Sequence, residues 1–314
     1  MMTSTTGTAL TTLAGVAATG VACVAYAALV ERNWFTLREA TVPVLPPGSA
    51  PVTVLQVSDL HLTPGQRRKI DWVRDLASLA PDFVVNSGDN LAHVEAVPPL
   101  LRAMEPLMDY PGAFVLGSND RYAPVPKNPA RYLTPGYAKA PKAPRGDLPV
   151  DELVDGLVAG GWSDLDNART TVDMGGHRVE LVGVDDPHID RDRYAGVSGP
   201  AATDVALTLG LVHAPYQRVL DAMAADGARL ILAGHTHGGQ LAVPLYGALV
   251  TNCDLDRGRA KGLSRWWPGA GGTAPTRPDD AAYLHVSAGL GTSPYAPLRF
   301  ACRPEATLLT LVGR

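Results

Sequence analysis

Short apolar runs that stop at polar clusters set the plan of this chain. Val52-Thr-Val-Leu-Gln-Val57 ends at Ser58-Asp-Leu-His61, Asp82-Phe-Val-Val-Asn86 at Ser87-Gly-Asp89, and Gly112-Ala-Phe-Val-Leu116 at Gly117-Ser-Asn-Asp120. Runs of this length, apolar at nearly every position, suit strands buried on both faces. Helical spacing falls on residues 69–80, 97–108, 151–160 and 216–225. Residues 170–173 and 177–183 alternate like a hairpin, and further strands are expected at 203–212, 230–233, 240–243, 281–287 and 305–312. The strand, loop, helix, strand rhythm argues a layered α/β fold. Polar groups at the C-terminal ends of strands are where such sheets collect ligands.

Four stretches depart from the rhythm. Residues 9–30 carry no charge and are followed by Glu31, Arg32 and Arg38; about 20 apolar residues cross a bilayer as a helix. The basic flank places the globular part in the cytoplasm as a single-pass membrane protein, and Trp34 and Phe35 suit an interfacial anchor. The alternative is a secretion signal removed by cleavage. Residues 42–51 read as a Pro-rich linker, so residues 1–50 are expected to be anchor and linker and 51–314 the catalytic domain. Residues 121–150 hold six basic residues against the single acid Asp147, either a solvated loop or a positive flap beside the site. Residues 257–278 read as an irregular insertion whose Trp266-Trp267 pair fits core or loop packing better than contact with a bilayer.

Composition narrows the function. With 314 residues, 46% of them hydrophobic, and a net charge of -4, the chain has a substantial core and no whole-protein attraction for nucleic acid. Its three cysteines cannot form a disulfide framework; Cys253 and Cys302 pair only if the fold brings them together, and free thiols are the commoner outcome.

The chemistry centres on Leu232-Ala-Gly-His235-Thr-His237, where two imidazoles at i, i+2 on an extended strand end would face one polar centre. Asp59, His61, Asp89, Asn119 with Ser118, and His213 stand at the other strand ends. Such nitrogen and carboxylate donors suit two first-row divalent ions (Mn, Fe, Zn or similar) rather than calcium or a thiolate site. Asp89, approached from both sides, could bridge ions about 3.5–4 Å apart and make a metal-bound hydroxide available near neutral pH.

The ordered series Asp59-x-His61, Gly88-Asp89-Asn90, Gly117-Ser-Asn-Asp120, His213 and Gly234-His-Thr-His237 resembles the calcineurin-like metallophosphoesterases over residues 52–312. The runs Gly234-His-Thr-His-Gly-Gly-Gln240 and Ser287-Ala-Gly-Leu-Gly-Thr292 resemble the membrane-associated bacterial branch of YkuE-type phosphoesterases and UDP-diacylglucosamine pyrophosphatases. The resemblance implies a four-layer α/β/β/α sandwich, preceded here by a transmembrane helix. It implies that Asp59, His61 and His237 hold one ion, that His213 and His235 hold the other with help from the loop at Gly117, and that Asp89 bridges. The implied activity is a dinuclear metal-dependent phosphohydrolase cleaving a phosphodiester or pyrophosphate bond, with a lipid-linked substrate suggested by the anchor. A phosphomonoesterase of the same fold, or a catalytically impaired metal-binding module, is the alternative.

One motif departs from the family. Its Gly-Asn-His-Asp reads Gly117-Ser-Asn-Asp120, so Ser118 replaces the asparagine ligand and Asn119 the histidine that protonates the leaving group. A shift of one residue would instead let Asn119 reach the metal. The lost proton donor should matter most for poor leaving groups, where general acid help gives ~10²–10⁴-fold, which implies a preference for activated ones. His188, in Gly183-Val-Asp-Asp-Pro-His188, is the candidate substitute acid; its plainer reading is a loop histidine bonded to backbone.

Overall fold

In the computed structural model, which describes residues 4–126, 146–274 and 276–314, the apolar runs assemble into two six-stranded sheets. Across the first lie β1 (Thr36–Leu45), β14 (Glu305–Gly313), β2 (Val52–Val57), β3 (Phe83–Asn86), β4 (Gly112–Phe114) and β5 (Ser163–Asp164). Across the second lie β12 (Gly262–Trp266), β13 (Ala282–Val286), β9 (Leu230–Ala233), β8 (Leu207–Val212), β7 (His177–Val184) and β6 (Arg169–Met174). Strands β2, β3 and β4 run parallel, as do β7, β8, β9 and β13. Their C-terminal ends therefore open at one end of each sheet.

Side-chain alternation sets the layers. Val52 and Val54 of β2 meet Leu207, Leu209 and Leu211 of β8 in a core between the sheets. Leu55 and Val57 point the other way, into a core with α2 (Arg67–Asp75), α3 (Val97–Met104) and α5 (Val150–Ala159). On the second sheet Ile231 and Ala233 pack outward against Val219, Leu220 and Met223 of α6 (Gln217–Ala225). The mixed α/β character expected from the rhythm is present, and helices cover the outer face of each sheet.

The structure differs from the expectations at several places. Strand β1 occupies part of the supposed linker and lies ahead of the boundary expected at Pro51. It pairs in parallel with β14 from Thr36↔Glu305 to Leu45↔Gly313, and Val42, Val44 and Leu45 are buried. Pro43 is tolerated because β1 is an edge strand. Within residues 257–278, β12 is also a regular edge strand, antiparallel to β13. Trp266 is fully buried with its indole donating to Asp221 Oδ1 at 2.9 Å. The strand expected at 240–243 is present as the shorter Ala242–Val243 (β10), paired with Gly247–Ala248 (β11) in a two-stranded sheet apart from the two large ones, and Leu241 bridges Phe300. The three cysteines are free. The basic segment 121–150 lies largely outside the described residues, apart from its two ends.

Helix α1 (Ser4–Ala25) continues through Tyr26–Val30 into a tight turn at Glu31–Asn33. Leu13, Val16, Val21, Val24 and Leu29 are exposed, and the helix over Gly15–Asn33 is long and apolar enough to cross a membrane. Its foot is fastened to the domain. The buried Glu31 carboxylate accepts backbone N–H groups of Ala301 (3.1 Å) and Cys302 (2.6 Å), and the N–H of Arg299 donates to Ala27 O at 3.2 Å.

A chain shortened to begin at Tyr26 is expected to fold, whereas one beginning at Pro51 loses β1 and three buried aliphatic side chains. At ~1.5–3 kcal/mol each, that loss exceeds about 4 kcal/mol. Urea unfolding that finds the two chains equally stable would remove β1 from the folded core.

Candidate metal centre

Strand ends from both sheets bring the candidate ligands to one end of the two sheets, although His235 belongs to neither group that could hold an ion and has its Nε2 3.2 Å from Asn252 O. β2 delivers Asp59 and His61, β3 delivers Asp89, β8 delivers His213 and β9 delivers His235 and His237. All six are buried except His237, which is partly so. Among the described residues, twelve non-glycine positions have positive φ, and five are Asp59 (49°), His61 (40°), Asp89 (55°), His235 (68°) and His237 (51°). Left-handed backbone at non-glycine residues costs on the order of 1 kcal/mol or more each, and it concentrates at functional sites. His235 and His237 therefore do not stand on an extended strand end as expected: β9 stops at Ala233, and left-handed backbone at both positions aims the two rings.

The kink sends them to different neighbours. The His237 ring stacks on His61 (centroids 4.9 Å apart), and His235 meets His213 edge-on at 5.3 Å. Nitrogen–nitrogen and nitrogen–carboxylate separations are 3.1 Å for His61–His237, 3.5 Å for His61–Asp89, 3.4 Å for His213–Asp89 and 3.5 Å for His237–Asp59. Ligands each about 2.1 Å from a tetrahedral ion stand about 3.4 Å from one another, so the spacing fits metal ligation. Two overlapping groups could each hold an ion, Asp59–His61–His237 and Asp59–Asp89–His213, with Asp59 in both.

A backbone carbonyl sets the tautomer of His213 from behind, as it does for metal-ligating imidazoles. His213 Nδ1 lies 2.7 Å from Ser87 O, leaving Nε2 toward Asp89 without a hydrogen bond. His237 Nδ1 stands between an acceptor, Gly291 O at 3.2 Å, and a donor, Arg299 Nη2 at 3.3 Å, while its Nε2 lies toward His61.

The electrostatics are those of a site built for cations. Burial, with Asp89 nearby, pushes the Asp59 carboxyl up to about 7, although Ser58 Oγ donates to it at 2.5 Å and the His235 N–H at 3.1 Å. Burial depresses His61 to about 4 and holds His237 well below its usual value. Burial opposes the charge on Asp89 too, but His213, His61 and the amide of Asn119 outweigh it and keep that carboxyl ionised.

Asn119 and Ser118 sit on the short helix α4 (Ser118–Arg121). The Asn119 backbone N–H donates to Asp89 Oδ1 and its Nδ2 to Oδ2, both at 2.7 Å, while Ser118 Oγ is 3.5 Å from that amide. Gly117 must be glycine, since a Cβ there would fall 2.3 Å from Asp89 Oδ1 and 2.7 Å from His213 Nε2. His188 joins the cluster, with its ring centroid 4.6 Å from His235 and Nδ1 3.1 Å from Tyr216 Oη.

Sequence reasoning missed several supports. Asp120 accepts backbone N–H groups of Asp89 (2.8 Å), Asn90 (2.7 Å) and Gly117 (2.8 Å), tying two ligand loops together. Its place in the Gly117–Asp120 motif was the available signal. Asp186 is fully buried with Oδ2 unpartnered, and burial raises it to about 6. His285 Nδ1 meets Gln56 Oε1 at 2.7 Å between the sheets, a pairing that no local pattern announces.

The family model for calcineurin-like phosphoesterases matches residues 52–239. The chain is 25% identical over 305 residues to the uncharacterized metallophosphoesterase YkuE of Bacillus subtilis (strain 168), covering 91% of this chain and 88% of that one. It is 26% identical over 291 residues to the phosphodiesterase YaeI of Escherichia coli (strain K12), covering 90% of each. Among solved structures, TT1561 of Thermus thermophilus aligns with a TM-score of 0.38 and 12% identity over 77% of this chain and 91% of that one.

A ligating Asp59 must be ionised, and its carboxyl otherwise sits at about 7. Manganese affinity of chelator-treated protein should therefore fall about tenfold per pH unit below 7, with proton release on binding at pH 6. Calorimetry in buffers of different ionisation enthalpy measures the release; none at pH 6 would contradict the assignment.

Proposed function

Because the chain belongs to the calcineurin-like phosphoesterase family, and so to hydrolases of phosphate esters, we propose that it is a membrane-anchored, dinuclear enzyme. Its substrate is a phosphodiester or pyrophosphate, lipid-linked in keeping with the apolar N-terminal helix. Asp59, His61 and His237 serve one ion, His213 and His235 the other, and Asp89 stands between them. The observation that carries this reading is the parting of the His235-Thr-His237 pair, one ring onto His213 and the other onto His61. The catalytic unit begins at β1, and the basic residues after the helix favour the cytoplasmic face.

Bound divalent ions would polarise the phosphoryl oxygens and acidify a water molecule. The chain's own groups do the rest. Asn119 holds both oxygens of Asp89 in place, and Ser87 fixes the ring of His213. With no histidine in the Gly117–Asp120 loop, His188 is the nearest imidazole left to protonate a leaving group, oriented through Tyr216. Turning the Asn119 amide about its last bond would present Oδ1 instead of Nδ2, the route by which it becomes a ligand.

Asp89→Asn is expected to lower turnover of bis(p-nitrophenyl) phosphate with manganese by at least ~10³-fold; one ion or none bound, without turnover in the parent protein, would favour a binding module. Asn119→His is expected to speed hydrolysis of alkyl phosphodiesters by ~10–10²-fold and of aryl ones far less. A uniform decrease on both classes would sink the proton-donor explanation.

A further inference from the structure

Beside the metal centre, at the foot of the N-terminal helix, lies a small cavity lined by Arg32, Asn33, Gln66, Lys69, Gly291 and Thr292. It shares walls with the centre. Lys69 Nζ donates to the carbonyl of Leu60, next to His61, at 2.6 Å, and the Gly291 carbonyl is the one that meets His237 Nδ1.

The cavity's charges are unbalanced. Lys69 is only 6% exposed, and the Arg32 Nε is buried without a hydrogen-bond partner. No carboxylate lines the cavity, and among the described residues neither cation has an ion-pair partner. Glu31, the nearest acid in sequence, is committed to the Ala301 and Cys302 amides. Burial, then the guanidiniums of Arg299 and Arg32, pushes Lys69 down to about 7, so the surroundings supply cations and nothing to match them. An ammonium has three donors, and Leu60 O accounts for one. Buried charge is retained in proteins where a counter-charge meets it. The cavity thus presents cationic donors and no acid, a lining that complements an anion from outside the chain.

We propose that Arg32 and Lys69 form an anion subsite that takes a second phosphate group while a first lies at the metal centre. This rests on the phosphohydrolase reading above and narrows it. The second phosphate belongs either to the substrate itself, as in a pyrophosphate, or to a neighbouring phospholipid headgroup. Because Arg32 lies in the turn that ends the apolar helix, the segment that would hold the enzyme at a membrane also supplies part of its specificity.

Full-length protein in detergent, stripped of metal with a chelator, should bind inorganic phosphate, and Arg32→Gln and Lys69→Met should each weaken that binding about tenfold. With manganese restored, Arg32→Gln should raise KM for a nucleoside diphosphate sugar at least about tenfold relative to KM for bis(p-nitrophenyl) phosphate, which has one phosphorus. An effect of Arg32→Gln confined to protein in phosphatidylglycerol vesicles, and absent in phosphatidylcholine, would assign the phosphate to a lipid headgroup. Phosphate binding that neither variant alters overturns the subsite. That readout needs no turnover, so it stands even if the protein proves inactive. Arg32→Gln, on a partly buried side chain outside the sheets, keeps the test valid if Lys69→Met fails to fold.

Discussion

Two buried carboxylates, Asp59 and Asp89, face the imidazoles of His61, His213 and His237 within a few ångströms, and the architecture follows from holding them there. Burying like charges together is unfavourable unless cations or hydrogen bonds compensate. Compensation comes from several elements at once. Ser58 and the His235 amide serve Asp59, Asn119 serves Asp89, and Asp120 gathers the loops that carry both Asp89 and Gly117. The donors reach their partners because the parallel strands β2, β3, β8 and β9 of two mixed sheets end on the same side, and the sheets pack face to face through Val54, Leu209 and their neighbours.

Much of this was legible in the residues, and what was not has physical causes. Apolar runs such as Val52–Val57 and Leu230–Ala233 announce strands because both faces are buried. Strand β1 was hidden because Pro43 and the following Pro-Pro-Gly read as linker, while its partner β14 lies at the far end of the chain. Strand β12 was hidden in the same way by flanking glycines and prolines. The nearness of Asp59, His61, Asp89, His213 and His237 follows from their places at strand ends, whereas nothing in the spacing shows that His235 turns its Nε2 to Asn252 O. Residue spacing says which side a side chain takes only if the backbone dihedrals are known, and here they are left-handed. Gln56–His285, a polar contact across the inter-sheet core, leaves no periodic trace at all.

The N-terminal segment is joined to the site more closely than an anchor needs to be. Glu31 grips the turn at Ala301 and Cys302, and Arg299, entirely buried just before that turn, donates to the carbonyls of Ala288, Gly289 and Gly291. Gly291 in turn faces His237. A continuous set of hydrogen bonds thus runs from the end of the helix to a candidate ligand, so the segment and the site are parts of one folded unit.

The five left-handed residues at the centre carry a consequence for protein engineering. At Asp59, His61, Asp89 and His235 a glycine would relax the backbone and remove a buried polar group in the same stroke, and at the partly buried His237 it would relax the backbone. Variants screened for heat resistance alone, without a divalent ion present, would accumulate changes at these positions first. The most heat-resistant chain of this fold would be one that had discarded its chemistry.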